Sequence, residues 1–129
     1  TQLKLTGIKL NMEISELQYD AEITGFVRRN LLMMVKEAVH NVIKHSNATT
    51  IWMKIDVNQN QLQIAIKDNG QEGNCHKIIH DQPGKYGLAS MRKRALDIGA
   101  TLDIQNLKTG WSIVIVYPLK FISALQYYD

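Results

Sequence analysis

The chain has a single cysteine, Cys75. It cannot close a disulfide within itself, and it fits a reducing compartment. With no second Cys nearby, a thiolate zinc site is excluded in practice. No apolar run approaches the roughly 20 residues that a membrane helix needs. Neither sign of charge dominates: 15 Lys and Arg stand against 12 Asp and Glu, a net charge of +3. That balance tolerates an anionic ligand. The basic residues are scattered and form no stripe, which argues against nucleic-acid recognition. Repeats and low-complexity segments are also missing. What is present is ordinary for a globular protein, 45% hydrophobic and 21% charged residues. A chain of 129 residues reads as one domain, long enough to bury a real core. No signal peptide is visible, and a chain that opens at Thr1 can be a piece of a longer one.

Hydrophobic patterning supplies the elements. "GIKLNMEIS" (7–15) alternates apolar and polar residues and predicts a half-buried strand. Residues 21–46 have helical periodicity. "TTIWMKIDV" (49–57) and "QLQIAIKD" (61–68) flank an Asn-rich turn and predict a hairpin. Residues 69–86 hold four Gly or Pro residues and read as a long loop, with a short helix possible around His76–His80; loops of that length in compact domains are often functional. "GLASMRKRALDIG" (87–99) predicts a helix with Leu88, Met91, Ala95 and Ile98 on one side and Gly99 as its C-terminal glycine. "ATLDIQNL" and "GWSIVIVYPL" predict a closing hairpin ended by Pro118. Five strands in adjacent pairs, with two to three helices, favour a two-layer α/β sandwich with a mixed sheet over a doubly wound sheet.

Three stretches carry chemistry. The first is the 31–45 helix. Leu31, Leu32, Val35, Ala38, Val39, Val42 and Ile43 fall in one arc, expected to pack on the sheet. Glu37, Asn41 and Lys44 share an adjacent flank, and His45 lies between flank and arc. Solvated surface is the plain explanation. Asn is a poor helix former, however, and its amide oxygen suits a hard cation such as Mg²⁺. A carboxylate one turn away can orient or deprotonate a nucleophile. An ammonium one turn further on can meet phosphate. The second stretch is "IKDNG" (66–70), either a tight turn or a strand ending in a carboxylate, Asp68, that faces a cavity and accepts from an exocyclic amine. Gly70 would then admit a planar base against the backbone. The third is "GKYGLASM" (84–91), a loop-to-helix junction whose exposed N–H groups attract anions. It is not a Walker loop.

In order and at these spacings, "EAVHNVIKHS", "DNGQEG", "GKYGLASMRKRA" and "GWSIVIVYPL" resemble the N-box, the two glycine boxes and the terminal strand of one family. This is the Bergerat-fold ATP-binding domain shared by sensor histidine kinases, gyrase, Hsp90 and MutL. The resemblance covers about residues 7–119, and its wording is most similar to histidine kinases of the nitrate-sensor and desaturase-sensor type. It implies transfer of the ATP γ-phosphoryl group to a histidine on an upstream dimerisation and phosphoacceptor domain that this chain does not include. It implies Glu37 as the acid that polarises the attacking imidazole and Asn41 on Mg²⁺. Lys44 and Lys85 would reach phosphate, and His45 would lie near adenine or ribose. Asp68 would take the adenine amine, with Gly70 beneath the ring. Gly87 and Leu88 would present N–H groups to phosphate, and residues 71–86 would form the ATP lid. A response regulator as downstream partner, a homodimer for the full-length protein with a monomeric isolated domain, and a cytoplasmic position in a membrane-anchored bacterial sensor follow from the same resemblance.

The match departs from the family at four places. Glu72 and Lys85 stand where glycines are usual, Ala100 follows Gly99, and Trp111 follows Gly110 where Thr is usual. No presented phosphoacceptor is visible, since His40 lies inside the N-box helix and His76 and His80 lie in the lid. These departures predict a lid poorly ordered without nucleotide and modest affinity. They keep two other readings open: a pseudokinase of the same fold acting through protein contacts, and an anti-sigma serine kinase.

Overall fold

A computed structural model of the chain describes residues 7–15, 23–58, 60–70, 87–107 and 109–119. The lid at 71–86 with Lys85, the helix around His76–His80, and residues 120–129 lie outside the described residues. Five strands, β1 (Lys9–Ile14), β2 (Thr50–Val57), β3 (Gln61–Asp68), β4 (Thr101–Leu107) and β5 (Gly110–Pro118), form one sheet in the order β1-β2-β3-β5-β4. β1 pairs with β2 in parallel and every other pair is antiparallel, so the sheet is mixed. Helices α1 (Gly25–His45) and α2 (Leu88–Ile98) cover one face. The expected two-layer α/β sandwich is the fold found.

Strands β2 to β5 follow their period-two patterning, whereas the half-buried strand expected at 7–15 does not: at the sheet edge Met12 is 53% and Ile14 59% exposed. In β3, Leu62, Ile64 and Ile66 are buried and point to the helices, and across the ladder Ile66 faces Ile113 and Ile64 faces Ile115. With Ile51 and Met53 of β2 they form the floor on which Leu31, Met34 and Met91 pack. The other face carries Trp52, Lys54 and Lys67 into solvent. A hollow of about 380 Å³ lies on this outer face beside those three residues. It coincides with none of the sequence-predicted site residues.

Helix α1 starts later than its periodicity suggests. Ile23 and Thr24 stand outside the helix, and Thr24, with extended φ and ψ, accepts a hydrogen bond from the Val27 N–H at 3.2 Å. A side-chain acceptor at that point satisfies one of the free N–H groups of the first turn and fixes the start. The buried stripe also differs from the expected arc. Val27, Asn30, Leu31, Met34, Ala38, Asn41 and Val42 are buried, whereas Leu32 is 62% exposed. The stripe is rotated toward the polar flank because α1 packs on α2 as well as on the sheet. The face between those two contacts is therefore inside the protein. Asn41 belongs to this interior face, not to the solvated surface.

Helix α2 ends as predicted. Gly99 is left-handed, with φ 74°, and the N–H of Ala100 returns to the Ala95 carbonyl at 2.8 Å, the arrangement that glycine permits at a helix end.

Candidate nucleotide site

The end of β3 is the best-defined part of the site. Asp68 is 1% exposed. Its Oδ1 accepts from the Gly70 N–H at 2.7 Å and from the Ser46 hydroxyl at 3.3 Å, and its Oδ2 accepts from the Trp111 N–H at 3.4 Å. Burial pushes the carboxyl above the ordinary Asp range, and the bonds from Gly70, Trp111 and Ser46 pull against that shift. An acidic group held dry but hydrogen-bonded on both oxygens is a rigid, directional acceptor.

Three neighbours explain how it is held. The hydroxyl of Ser46, at the C-terminal cap of α1, also accepts from the Ala48 N–H at 3.1 Å, so it ties the helix end to Asp68. A Cβ built on Gly70 would meet that hydroxyl. The glycine is thus required by Ser46 in this structure, in addition to any close approach of a base. Gly110, with φ 134°, lets β5 pass so close that a Cβ there would strike the backbone carbonyl of Asp68. At this strand start the main-chain N–H of buried Trp111 contacts Asp68, as does the Ser46 hydroxyl from the end of α1. Asn69 closes the turn. Its Oδ1 accepts from the N–H groups of Thr49 and Thr50, both at 2.9 Å, and its Nδ2 donates to the Thr49 hydroxyl at 2.9 Å. The Asp-Asn-Gly stretch is therefore a side-chain clamp on the start of β2 as well as a turn.

Ser46, Asn69 and the Trp111 N–H were missed by sequence reasoning. Ser46 alone had a signal, a hydroxyl just past a helix whose polar flank was already suspect.

The other end of the site is made by helices. Gly87 caps α2 with φ 72° and ψ 7°, and its carbonyl accepts from the Met91 N–H at 2.9 Å. A Cβ on Gly87 would run into the Glu37 carboxylate. Glu37 and Gly87, fifty residues apart in sequence, therefore touch. Leu88 is buried behind them. From Glu37 to Ser46 the helix advances nine residues, about 13.5 Å, with Asn41 and Lys44 between. Asn41 is buried, Lys44 exposed, and His45 half-buried. Burial first, then the electrostatic influence of Lys44 and of His40, hold the His45 imidazole below its ordinary pKa. The structure thus brings Glu37, Gly87 and Leu88 together at one end of the α1 wall and Asp68 and Gly70 together at the other. Lys85 lies outside the described residues.

This arrangement joins a helix wall to two glycine junctions beside a mixed sheet, and it defines a class. Residues 27–121 match the family described as histidine kinase-, DNA gyrase B-, and HSP90-like ATPase. The chain belongs to that family, and it is an ATP-binding catalytic domain of the sensor histidine kinase kind. It is 32% identical over 113 residues to the sensor protein VraS of Staphylococcus haemolyticus and 31% identical to that of Staphylococcus aureus strain COL. Both matches cover 87% of this chain and 32% of the relative, so the chain spans about a third of those proteins' length. Among solved structures, the blue-light activated histidine kinase of Erythrobacter litoralis EL346 superposes with TM-score 0.70 at 21% identity, over 88% of this chain and 36% of that one. The ATP-binding domain of PrrB from Mycobacterium tuberculosis does so with TM-score 0.64 at 23% identity, over 87% and 82%. These likenesses bear on the fold.

Proposed function

We propose that this domain delivers the γ-phosphoryl group of ATP to a histidine on an upstream dimerisation domain of a two-component sensor. The observation that carries the reading is the approach of Glu37 to Gly87. It sets a carboxylate beside a glycine-capped helix start, where a terminal phosphate and an incoming imidazole would meet. The imidazole nitrogen attacks the γ-phosphorus, the bond to the bridging β-oxygen breaks, and ADP leaves. Glu37 accepts hydrogen bonding from, or the proton of, the attacking ring. Phosphoryl transfer asks mainly for positioning and charge stabilisation, and the residues divide that work. Asp68 takes the adenine amine, Gly70 underlies the ring and His45 lies near the base or ribose. Lys44 and Lys85 reach phosphate, and the N–H groups at Gly87 and Leu88 face it.

Magnesium fits on donor chemistry. Asn41 offers a hard amide oxygen. No group of three or more His, Cys, Asp or Glu that could cage a metal exists among the described residues. An ion held by one protein oxygen, the phosphates and water is the usual manner for Mg²⁺. Its chemistry would be to neutralise phosphate charge. A response regulator would receive the phosphoryl group, the full-length protein would be a homodimer, and the domain would sit on the cytoplasmic side of a membrane-anchored sensor. Among the described residues no helix is long and apolar enough to cross a membrane.

Labelling with γ-labelled ATP tests the reading. The isolated domain should acquire no acid-labile phosphate, and appending an upstream helical hairpin that carries a His-Asp pair should restore labelling. Glu37→Gln should then slow transfer by about 10²–10⁴-fold while nucleotide affinity changes little. Labelling of the isolated domain, or full activity in Glu37→Gln, would overturn it.

A further inference from the structure

We infer that Arg94 and Asn30 form a pin that sets the register between α1 and α2 and so places Gly87 against Glu37. Neither residue belongs to the site itself. The inference rests in part on the proposed function, because Gly87 matters to catalysis only if a nucleotide binds beside it.

Asn30 lies in the second turn of α1 and is 6% exposed. Its Nδ2 donates to the Phe26 carbonyl at 2.9 Å, and its Oδ1 accepts from Arg94 Nη1 at 3.0 Å. The partners fix the amide orientation, since a guanidinium can only donate and a carbonyl can only accept. The side chain is thus tied to its own helix at one atom and to α2 at the other. Asn30 is buried and Arg94 half-buried; a polar pair so placed, replaceable by apolar groups in a purely structural role, is well suited to selecting one register. Arg94 is the second arginine of the "GLASMRKRA" stretch, and the nucleotide roles assigned to that stretch leave it unused.

The spacing shows what the pin controls. Seven residues along α1 from Asn30 is Glu37. Seven residues back along α2 from Arg94 is Gly87. The two contacts, Asn30 with Arg94 and Glu37 with Gly87, lie two turns apart, about 10.5 Å, on antiparallel helices. One is a hydrogen bond, and the other is a close approach of the Glu37 side chain to the backbone of a glycine. Helix α2 packs chiefly on α1 and secondarily on β4, so the sheet alone does not fix its position along α1. Packed helices can settle in alternative registers, and a slip at Arg94 is transmitted along the rigid helix to the junction at Gly87.

Arg94 and Asn30 are therefore positioning residues. The test uses the full chain with Arg94→Met, which keeps the aliphatic stem, Arg94→Lys, which keeps one donor, Asn30→Ala, and the Arg94→Met/Asn30→Ala double variant. The readouts are the amide resonance of Gly87 in nucleotide-free protein and the affinity for Mg-ADP. Arg94→Met should move the Gly87 resonance and weaken Mg-ADP by about tenfold, the size of one lost hydrogen bond. Asn30→Ala should do the same, the double variant should be no worse than either, and Arg94→Lys should recover part of both signals. An unmoved Gly87 resonance in folded Arg94→Met, or additive losses in the double variant, would overturn the pin. Failure of Arg94→Met to fold while Asn30→Ala and Arg94→Lys leave Gly87 in place would also overturn it, since Arg94 would then stabilise without positioning. If wild-type protein binds no Mg-ADP, the proposed function fails, and the Gly87 resonance still decides the pin.

Discussion

The two ends of the α1 wall are built on different principles. At the Asp68 end, three chain segments converge on one carboxylate, which is dry and hydrogen-bonded on both oxygens. Strand ladders and the Asn69 clamp fix the geometry, so this end is preformed. At the Glu37 end, a flexible acidic side chain rests against a glycine, and the distance between them depends on how two helices sit together. In the proposed function, base recognition falls to the end of the central strand β3 and phosphate chemistry to a helix pair. A binding surface that must discriminate is best rigid, whereas one that must engage a partner histidine gains from being adjustable.

Glycine substitutions separate the ends most sharply. At Gly110 a side chain meets the backbone of Asp68, which cannot yield. Gly110→Val should cost about 3 kcal/mol or more through overpacking and a disfavoured φ, read as a lowered denaturation midpoint. At Gly87 the obstacle is the end of the Glu37 side chain, which can swing aside. Gly87→Ala should cost only about 1–2 kcal/mol, mostly for the left-handed backbone, yet it should displace Glu37 and reduce transfer activity. Equal losses of stability at the two positions would erase the distinction.

Titration gives smaller effects with opposite signs. The Asp68 carboxyl is raised by burial, so the folded state favours its protonated form. The associated stability is present in acid and is lost as pH rises through the raised value. The stability of Asp68→Asn relative to wild type should therefore increase from about pH 4 toward neutrality, as measured by denaturation across that range. A gap that is flat in pH would show that Asp68 is not held in an unfavourable environment. His45 is shifted down, by burial first. Its stabilising contribution is present above the ordinary histidine value of about 6.5 and is lost as pH falls below it. His45→Gln should remove that acid-side loss. The effect should be the smallest of the set, because the imidazole is only half-buried.

Much of this was legible in the residues. Period-two alternation located all five strands, and Gly99 marked the end of α2, because strand patterning and helix-end glycine are local signals. The order of the boxes pointed to Glu37, Asn41, Asp68 and Gly87. What stayed hidden was tertiary. Leu32 looked like core because it is apolar, but α1 is rotated by its second contact with α2, which buries Asn30 and Asn41 instead. The Ser46 hydroxyl and the Trp111 N–H acquire their roles only when α1, β3 and β5 converge on Asp68. No spacing within one element announces a main-chain donor from a strand forty-three residues away. Arg94 stands within a motif, yet its partner Asn30 lies on another helix.

The most direct test is calorimetry of Mg-ADP and Mg-GDP binding to wild type, Asn41→Asp and Asp68→Asn. Wild type should prefer Mg-ADP with a dissociation constant in the micromolar range or weaker, about −8 kcal/mol or less favourable. Asp68→Asn should lose the preference for adenine over guanine, and Asn41→Asp should lose the magnesium-dependent part of binding while remaining folded. Unchanged nucleotide binding in both variants would contradict the assignment of this site.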